Sequence, residues 1–191
     1  MTWTDEERDR ANSPDSMDKH WQAEPPGPRV HYVPVYMAVV SSLGPKDKVL
    51  DVGCGNGAFL HLARQRCGLG VGVDHSRIAC LKTGGEMYCK PFPPLEFGDS
   101  AYNVVTCFEV VEHLRPGDAA CLVMEMNRVL RPGGHCWVAV PNKSLPPDQC
   151  IHHRTVFDAG SLRSFLTTSG AANPAIVDFG HTLLASWKKD G

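Results

Sequence analysis

Two aspartates, three alternating glycines and a group of histidines are the residues of this chain whose types and spacing could do chemistry. Gly53, Gly55 and Gly57 stand at every other position in VLDVGCGNGAFL, directly after the apolar residues Val49, Leu50 and Val52. Glycines in such a turn accept positive φ and let a ligand approach bare backbone. A helix opening at Ala58 would present its first N–H groups to that ligand. Asp51 lies inside the strand end, two residues before the first glycine, where a carboxylate would repel a pyrophosphate and suit a ligand that is cationic at this end. Asp74 closes a second apolar run, Leu69 to Val73, roughly twenty residues beyond Gly53, where a βαβ nucleotide site carries its ribose-binding acid. Glycine spacing alone decides little, because Gly53, Gly55 and Ala58 also satisfy the loose G-x-G-x-x-A of nicotinamide and flavin sites. Farther on, His113, His152 and His153 are the side chains near the site that could take a proton near neutrality, as a hydroxyl acceptor requires.

These residues need a parallel sheet to bring them together. Apolar runs bounded by turn residues predict strands at Val49–Val52, Leu69–Asp74, Tyr102–Phe108 and Cys136–Val140, with a short strand within Gly84–Lys90 cut off by Pro91, Pro93 and Pro94. Helical spacing predicts helices over Arg29–Leu43, from Ala58 to near Arg66, after Ser76 as a candidate N-cap, over Pro116–Leu130, and around Leu162, Phe165 and Leu166. The tail alternates as a hairpin over Ala175–Gly180 and Thr182–Trp187. Before Gly27 the chain is polar and proline-containing, which predicts a loose arm with at most one short helix. In it Trp21 and His20 could fold over a ligand, although simple packing of the indole on the domain is the plainer reading.

VLDVGCGNG, VGVDHS and RVLRPGG occur in that order between Lys48 and Pro141 and resemble the motifs of the class I S-adenosylmethionine (SAM) dependent methyltransferases. VVTCFEVVEHL is most similar to the same stretch of the ubiquinone-biosynthesis-type O-methyltransferases. The resemblance implies an α/β, Rossmann-like, doubly wound sheet of seven strands in the order 3-2-1-4-5-7-6, whose last pair is an antiparallel hairpin. It divides the chain into a flexible arm over 1–28 and a methyltransferase domain over 29–191. SAM would be the cofactor, bound by Asp51, Gly53, Cys54, Gly55, Asn56, Gly57, Asp74, His75, Phe108 and Glu109. Arg29 would be the basic residue that reaches the SAM carboxylate. The acid that usually holds the adenine amino group has no counterpart, so backbone groups and His75 or Cys89 must serve.

His113 and His153 would be the catalytic residues, one of the adjacent histidines 152 and 153 pointing away. The acceptor is expected to be a small molecule methylated on a hydroxyl oxygen and covered by the loop 142–151. The alternative on the same fold is an RNA 2′-O- or protein methyltransferase, with a divalent ion held by Glu109, Glu112, His113 and His153. An idle SAM-fold subunit is argued against by the intact Asp51, Gly55 and Asp74.

Composition narrows the choice. With 191 residues and 42% hydrophobic content the chain can bury the core of one domain. Its formal charge is −2 and no run of Lys or Arg exceeds two, so nothing attracts a phosphate backbone strongly. The eight cysteines are scattered without a C-x-x-C pair, which argues against zinc and for buried thiols in a reducing cytoplasm. The N-terminus is charged and no stretch has the apolar length of a membrane span. A cytoplasmic protein without membrane contacts is expected.

Overall fold

The computed structural model describes residues 3–24, 30–143 and 150–191. Its centre is one seven-stranded sheet, made of β1 (Lys48–Val52), β2 (Leu69–Asp74), β3 (Met87–Cys89), β4 (Tyr102–Phe108), β5 (Leu130–Pro141), β6 (Ala175–Asp178) and β7 (Thr182–Lys188). The strand order is β3-β2-β1-β4-β5-β7-β6, as the resemblance implied. Neighbours through β5 run parallel, and β7 is antiparallel to both β5 and β6. Apart from exposed Lys48, all of β1 is buried, as a strand covered by helices on both faces must be.

Helices fill the crossovers: α4 (Ala58–Ala63) between β1 and β2, α5 (Arg77–Thr83) between β2 and β3, α6 (Pro116–Val129) between β4 and β5, and α7 (Ala159–Thr168) before β6. In α6 the buried residues Ala119, Leu122, Val123, Met126 and Val129 recur at helical spacing and form one face. Pro116 sits in the first turn, where its missing N–H costs nothing. Ser76 caps α5 by accepting from the Ala79 N–H at 3.1 Å. One sheet face packs on α6 and α7; the other packs on α3 (Val33–Val40) and Phe59 of α4.

Two elements differ from expectation. β5 begins at Leu130 rather than Cys136, because Leu130 already pairs with Tyr102 of β4 and the RPGG segment bulges before pairing resumes at His135 and Val104. The N-terminal segment, expected to be loose, forms two helices, α1 (Asp5–Ala11) and α2 (Pro14–Ala23). The reason is capping: Thr4 and Glu7 make a reciprocal capping box, and Ser13 caps α2 with Pro14 in its first turn. Among the described residues, no helix is long and apolar enough to cross a membrane. Arg29, and 144–149 of the covering loop, lie outside the described residues.

Candidate active site

The carboxyl ends of β1, β2 and β4 open into a cavity of about 550 Å³ lined from both ends of the chain. At the β1–α4 turn the N–H groups of Gly53 and Cys54 both donate to the Val73 carbonyl, at 2.8 and 3.2 Å. The Asp74 carboxylate accepts from the Gly55 N–H at 2.9 Å and the Ser76 N–H at 2.8 Å, tying the turn to the end of β2. Gly53 and Gly55 have φ of 71° and 52°. A Cβ on Gly53 would lie 2.2 Å from a Val110 methyl, and one on Gly55 would lie 2.3 Å from the Trp21 indole. Both glycines are therefore required by backbone conformation and by space.

Register places Asp51 beside Thr106, whose hydroxyl donates to the carboxylate at 2.7 Å. Burial pushes the Asp51 carboxyl up to about 7, against the Thr106 hydrogen bond and with help from neighbouring Asp74. Burial also raises Asp74, against the N–H groups of Ser76 and Gly55. Two buried carboxyls on one cavity wall call for a ligand with positive charge. Each Asp74 oxygen has a second lone pair, so hydroxyl donors can still be accepted.

The other residues expected on this side divide. Asn56, His75, Phe108 and Glu109 line the cavity. Glu109 turns the chain out of β4 with φ 55°, an uncommon conformation for a side-chain-bearing residue, held by its N–H donating to the Ala139 carbonyl at 2.9 Å. Cys54 lines the cavity as well, its sulfur 3.4 Å from that of Met87. Gly57 is not a lining residue: it caps α4 in the left-handed region, and a Cβ there would meet Thr83. Cys89 is exposed and does not line the cavity; Phe92 does, its ring nearly parallel to His75 at 6.1 Å.

On the opposite wall His113, His152 and His153 all face the cavity, so neither member of the adjacent pair points away. Segment 152–155 wraps around 112–113: the N–H groups of Arg154 and Thr155 both donate to the Glu112 carbonyl, at 2.7 and 3.2 Å. His113 Nδ1 lies 3.0 Å from the His152 carbonyl, which can only accept, so Nδ1 carries a proton. In a neutral ring Nε2 is then the basic nitrogen. The His113 and His153 rings are 4.9 Å apart, and the buried Glu112 carboxylate is 3.7 Å from His113 Nε2. One donor atom each from Glu112, His113 and His153 lies within 4.8 Å of the others, a carboxylate-and-imidazole set that could hold a first-row divalent ion. Glu109, expected in that set, is outside it.

The remaining wall comes from residues that the motifs do not mark. Trp21 lies over the glycine turn rather than merely packing on the domain. α2 is anchored there by Asp18, which accepts from the Ser76 hydroxyl and the Ile78 N–H, and by Lys82, which donates to carbonyls at the helix's C-terminal end. Asn12, Tyr32, Tyr36 and His181 also line the cavity. The tyrosines were visible only as members of a helical apolar pattern; for Asn12 the sequence gives no signal.

Comparison with known proteins bears on this geometry. Residues 23–180 match the family model described as a methyltransferase domain. The chain belongs to the class I SAM-dependent methyltransferases. Over 108 residues it is 32% identical to the ubiquinone biosynthesis O-methyltransferase of Aliivibrio fischeri, a match covering 51% of this chain and 45% of that protein. It is 31% identical over 151 residues to a Mycolicibacterium smegmatis protein named a probable S-adenosylmethionine-dependent methyltransferase, covering 71% of this chain and 56% of the relative. The matches thus span about half the length of these curated relatives. In fold it is similar to the Burkholderia thailandensis 1,6-didemethyltoxoflavin-N1-methyltransferase with bound 1,6-didemethyltoxoflavin and S-adenosylhomocysteine, with TM-score 0.70, 17% identity, and 97% and 87% of the two chains covered.

The residues of the site fit SAM, the cofactor of that family. Gly55 presents bare backbone beneath the Trp21 indole, and the buried carboxyls of Asp51 and Asp74 on the cavity wall are groups that suit a ligand carrying cationic centres and ribose hydroxyls.

Proposed function

We propose that this methyltransferase acts on a hydroxyl oxygen of a small-molecule acceptor, with Asp51, Gly53, Gly55, Asn56, Asp74, His75, Phe108 and Glu109 on the cofactor side and His113 and His153 on the acceptor side. The observation that carries the reading is the pinned His113 ring. Its Nδ1–H is spent on the His152 carbonyl, which makes Nε2 the proton-accepting atom of a cavity that also holds the glycine turn. A hydroxyl needs such a group, because it must lose a proton as it becomes an ether. When bound, SAM supplies an electrophilic methyl: the new O–C bond forms as the S–C bond breaks, and its electron pair returns to sulfur. The chain's residues do the rest. Phe108, packed against Phe59 and Tyr36 at 5.0 and 5.3 Å, gives the reaction a rigid apolar floor. His113 Nε2 takes the hydroxyl proton, and His153, ring to ring with it, borders the acceptor. The main gain comes from holding acceptor and methyl at about 3 to 3.5 Å in line.

Two further features support a small acceptor. The cavity volume lies in the range of small-molecule sites, and α1 and α2 contribute to its wall through Asn12, Met17, His20 and Trp21. The named O-methyltransferase relative points the same way. Radiolabelled SAM offered to parallel panels of phenols, alcohols and amines tests the proposal: label should enter hydroxyl compounds. Transfer confined to amines, or to RNA or protein added as competitors, would overturn it.

A further inference from the structure

We propose that α1 and its C-cap Asn12 are a clamp that positions His113, which makes Asn12 a positioning residue of the methyl-transfer site. The inference rests on the reading of His113 as the proton acceptor. The two segments, carrying His113 and His152, are 39 residues apart in sequence, and α1 touches both of them at matching positions. The Asn12 amide donates to the His152 carbonyl at 3.0 Å and approaches the His113 carbonyl at 3.4 Å. One helical turn earlier, Asp9 pairs with both Arg115 and Arg154, each two residues beyond those histidines. Arg154 is only 7% exposed, so this second bridge is partly shielded from water, and Asp5 supports it at 3.4 Å. The guanidinium of Arg115, seconded by that of Arg154, holds the Asp9 carboxyl below its ordinary value.

The His152 carbonyl is where the clamp meets the chemistry. It has two lone pairs, and its two donors are Asn12 Nδ2 and His113 Nδ1, both at 3.0 Å. Asn12 therefore holds the peptide that holds the imidazole. The Asn12 nitrogen faces a third carbonyl, that of Arg8 at 3.1 Å, which fixes which way the amide is turned. The clamp lies before residue 23, outside the part of the chain that matches the family model.

The test uses the full chain labelled with ¹⁵N-histidine, in which two-bond proton–nitrogen spectra report which ring nitrogen of His113 carries the proton. In the unmodified protein His113 should be the Nδ1–H tautomer. Asn12→Ala should give a mixture of tautomers and a fall in turnover on the order of tenfold to a hundredfold, the cost of slight misplacement. The dissociation constant for S-adenosylhomocysteine should stay within about twofold. Asp9→Asn, at a more exposed site, should change both in the same direction by less, and it stands in if Asn12→Ala does not fold. An unchanged tautomer in either folded variant overturns the clamp. So does a loss of turnover matched by equal losses of cofactor affinity and melting temperature. If instead His113→Ala keeps full turnover while Asn12→Ala still mixes the tautomers, the clamp stands and the role given to His113 falls.

Discussion

The two walls of the cavity are built on opposite plans. The wall proposed for the cofactor is short-range: β1, its turn and the end of β2 lie within Lys48–Ser76, and most of its bonds are from backbone N–H groups to Val73 and Asp74. The acceptor wall is long-range. It is assembled from 9–12, 112–115 and 150–155 by side-chain amides, guanidiniums and an imidazole. Backbone bonds repeat wherever the turn repeats, so one fold can keep a common cofactor. Side-chain bonds between distant segments can be exchanged one at a time, which leaves the acceptor open to change. That contrast predicts that substitutions on one wall act on cofactor affinity, and substitutions on the other act on turnover.

The largest separation should come from His113→Ala. Removing the proposed proton acceptor is expected to lower turnover by about 10² to 10⁴ while S-adenosylhomocysteine affinity changes little. The deficit should shrink at high pH, where the acceptor hydroxyl ionises unaided. Steady-state rates across pH, paired with calorimetry, would show this. A pH-independent loss would reduce His113 to a positional role, and a loss accompanied by release of a metal ion would make it a ligand beside Glu112 and His153. Next is Gly55→Val, its mirror image on the other wall. The residue must adopt φ 52° and its side chain must enter space held by the Trp21 indole. Cofactor affinity should fall roughly a hundredfold, about 3 kcal/mol. Near-normal affinity by calorimetry would end the idea that this turn is shaped around the cofactor.

Legibility in the sequence follows the same division. The short-range wall could be read because strand, turn and acid are neighbours whose types are set by local physics: Gly53 and Gly55 need positive φ, and β1 needs apolar residues on both faces. The sheet order followed from motif resemblance, and β3 was rightly expected to be short. Gly57 marks the limit, since its spacing matches the other glycines although it faces Thr83 of α5 rather than the cavity. Asn12 and Asp9 could not be read, because their partners lie about a hundred or more positions away and no periodicity marks them. The two N-terminal helices were hidden by prolines; Pro14 in fact starts a helix at a position where its missing N–H is harmless.

Asp74→Ala is expected to be milder than the glycine change and to test whether the acid does two jobs. It removes a charged partner for ribose hydroxyls, worth about 1.5 to 3 kcal/mol. It also removes the acceptor of the Gly55 and Ser76 N–H groups. Affinity measured by calorimetry should weaken by roughly tenfold to a hundredfold. An unchanged constant would show that Asp74 serves the turn alone.

The smallest expected effect is the most specific to the cofactor wall, because it turns on the charge of one buried group. Asp51 is pushed up to about 7, chiefly by burial, whereas an aspartate in an unfolded chain titrates near 4. Between those values the folded protein keeps a proton that the unfolded chain has released, so the ligand-free protein should lose stability as pH rises from about 4 to about 7. A ligand ammonium favours the ionised carboxylate. Cofactor binding below about pH 7 should therefore release a proton, and affinity should fall by up to about tenfold for each unit of further acidification. Asp51→Asn keeps the size of the side chain and removes the titration. It should melt higher than the parent at neutral pH without ligand, and bind S-adenosylhomocysteine weakly with little dependence on pH. Calorimetry at about pH 6 in two buffers of different ionisation enthalpy counts the released proton directly. If the parent binds equally well from about pH 5 to 8 and releases none, Asp51 does not answer the cofactor's charge, and the electrostatic half of the contrast between the two walls is lost even though the turn's geometry stands.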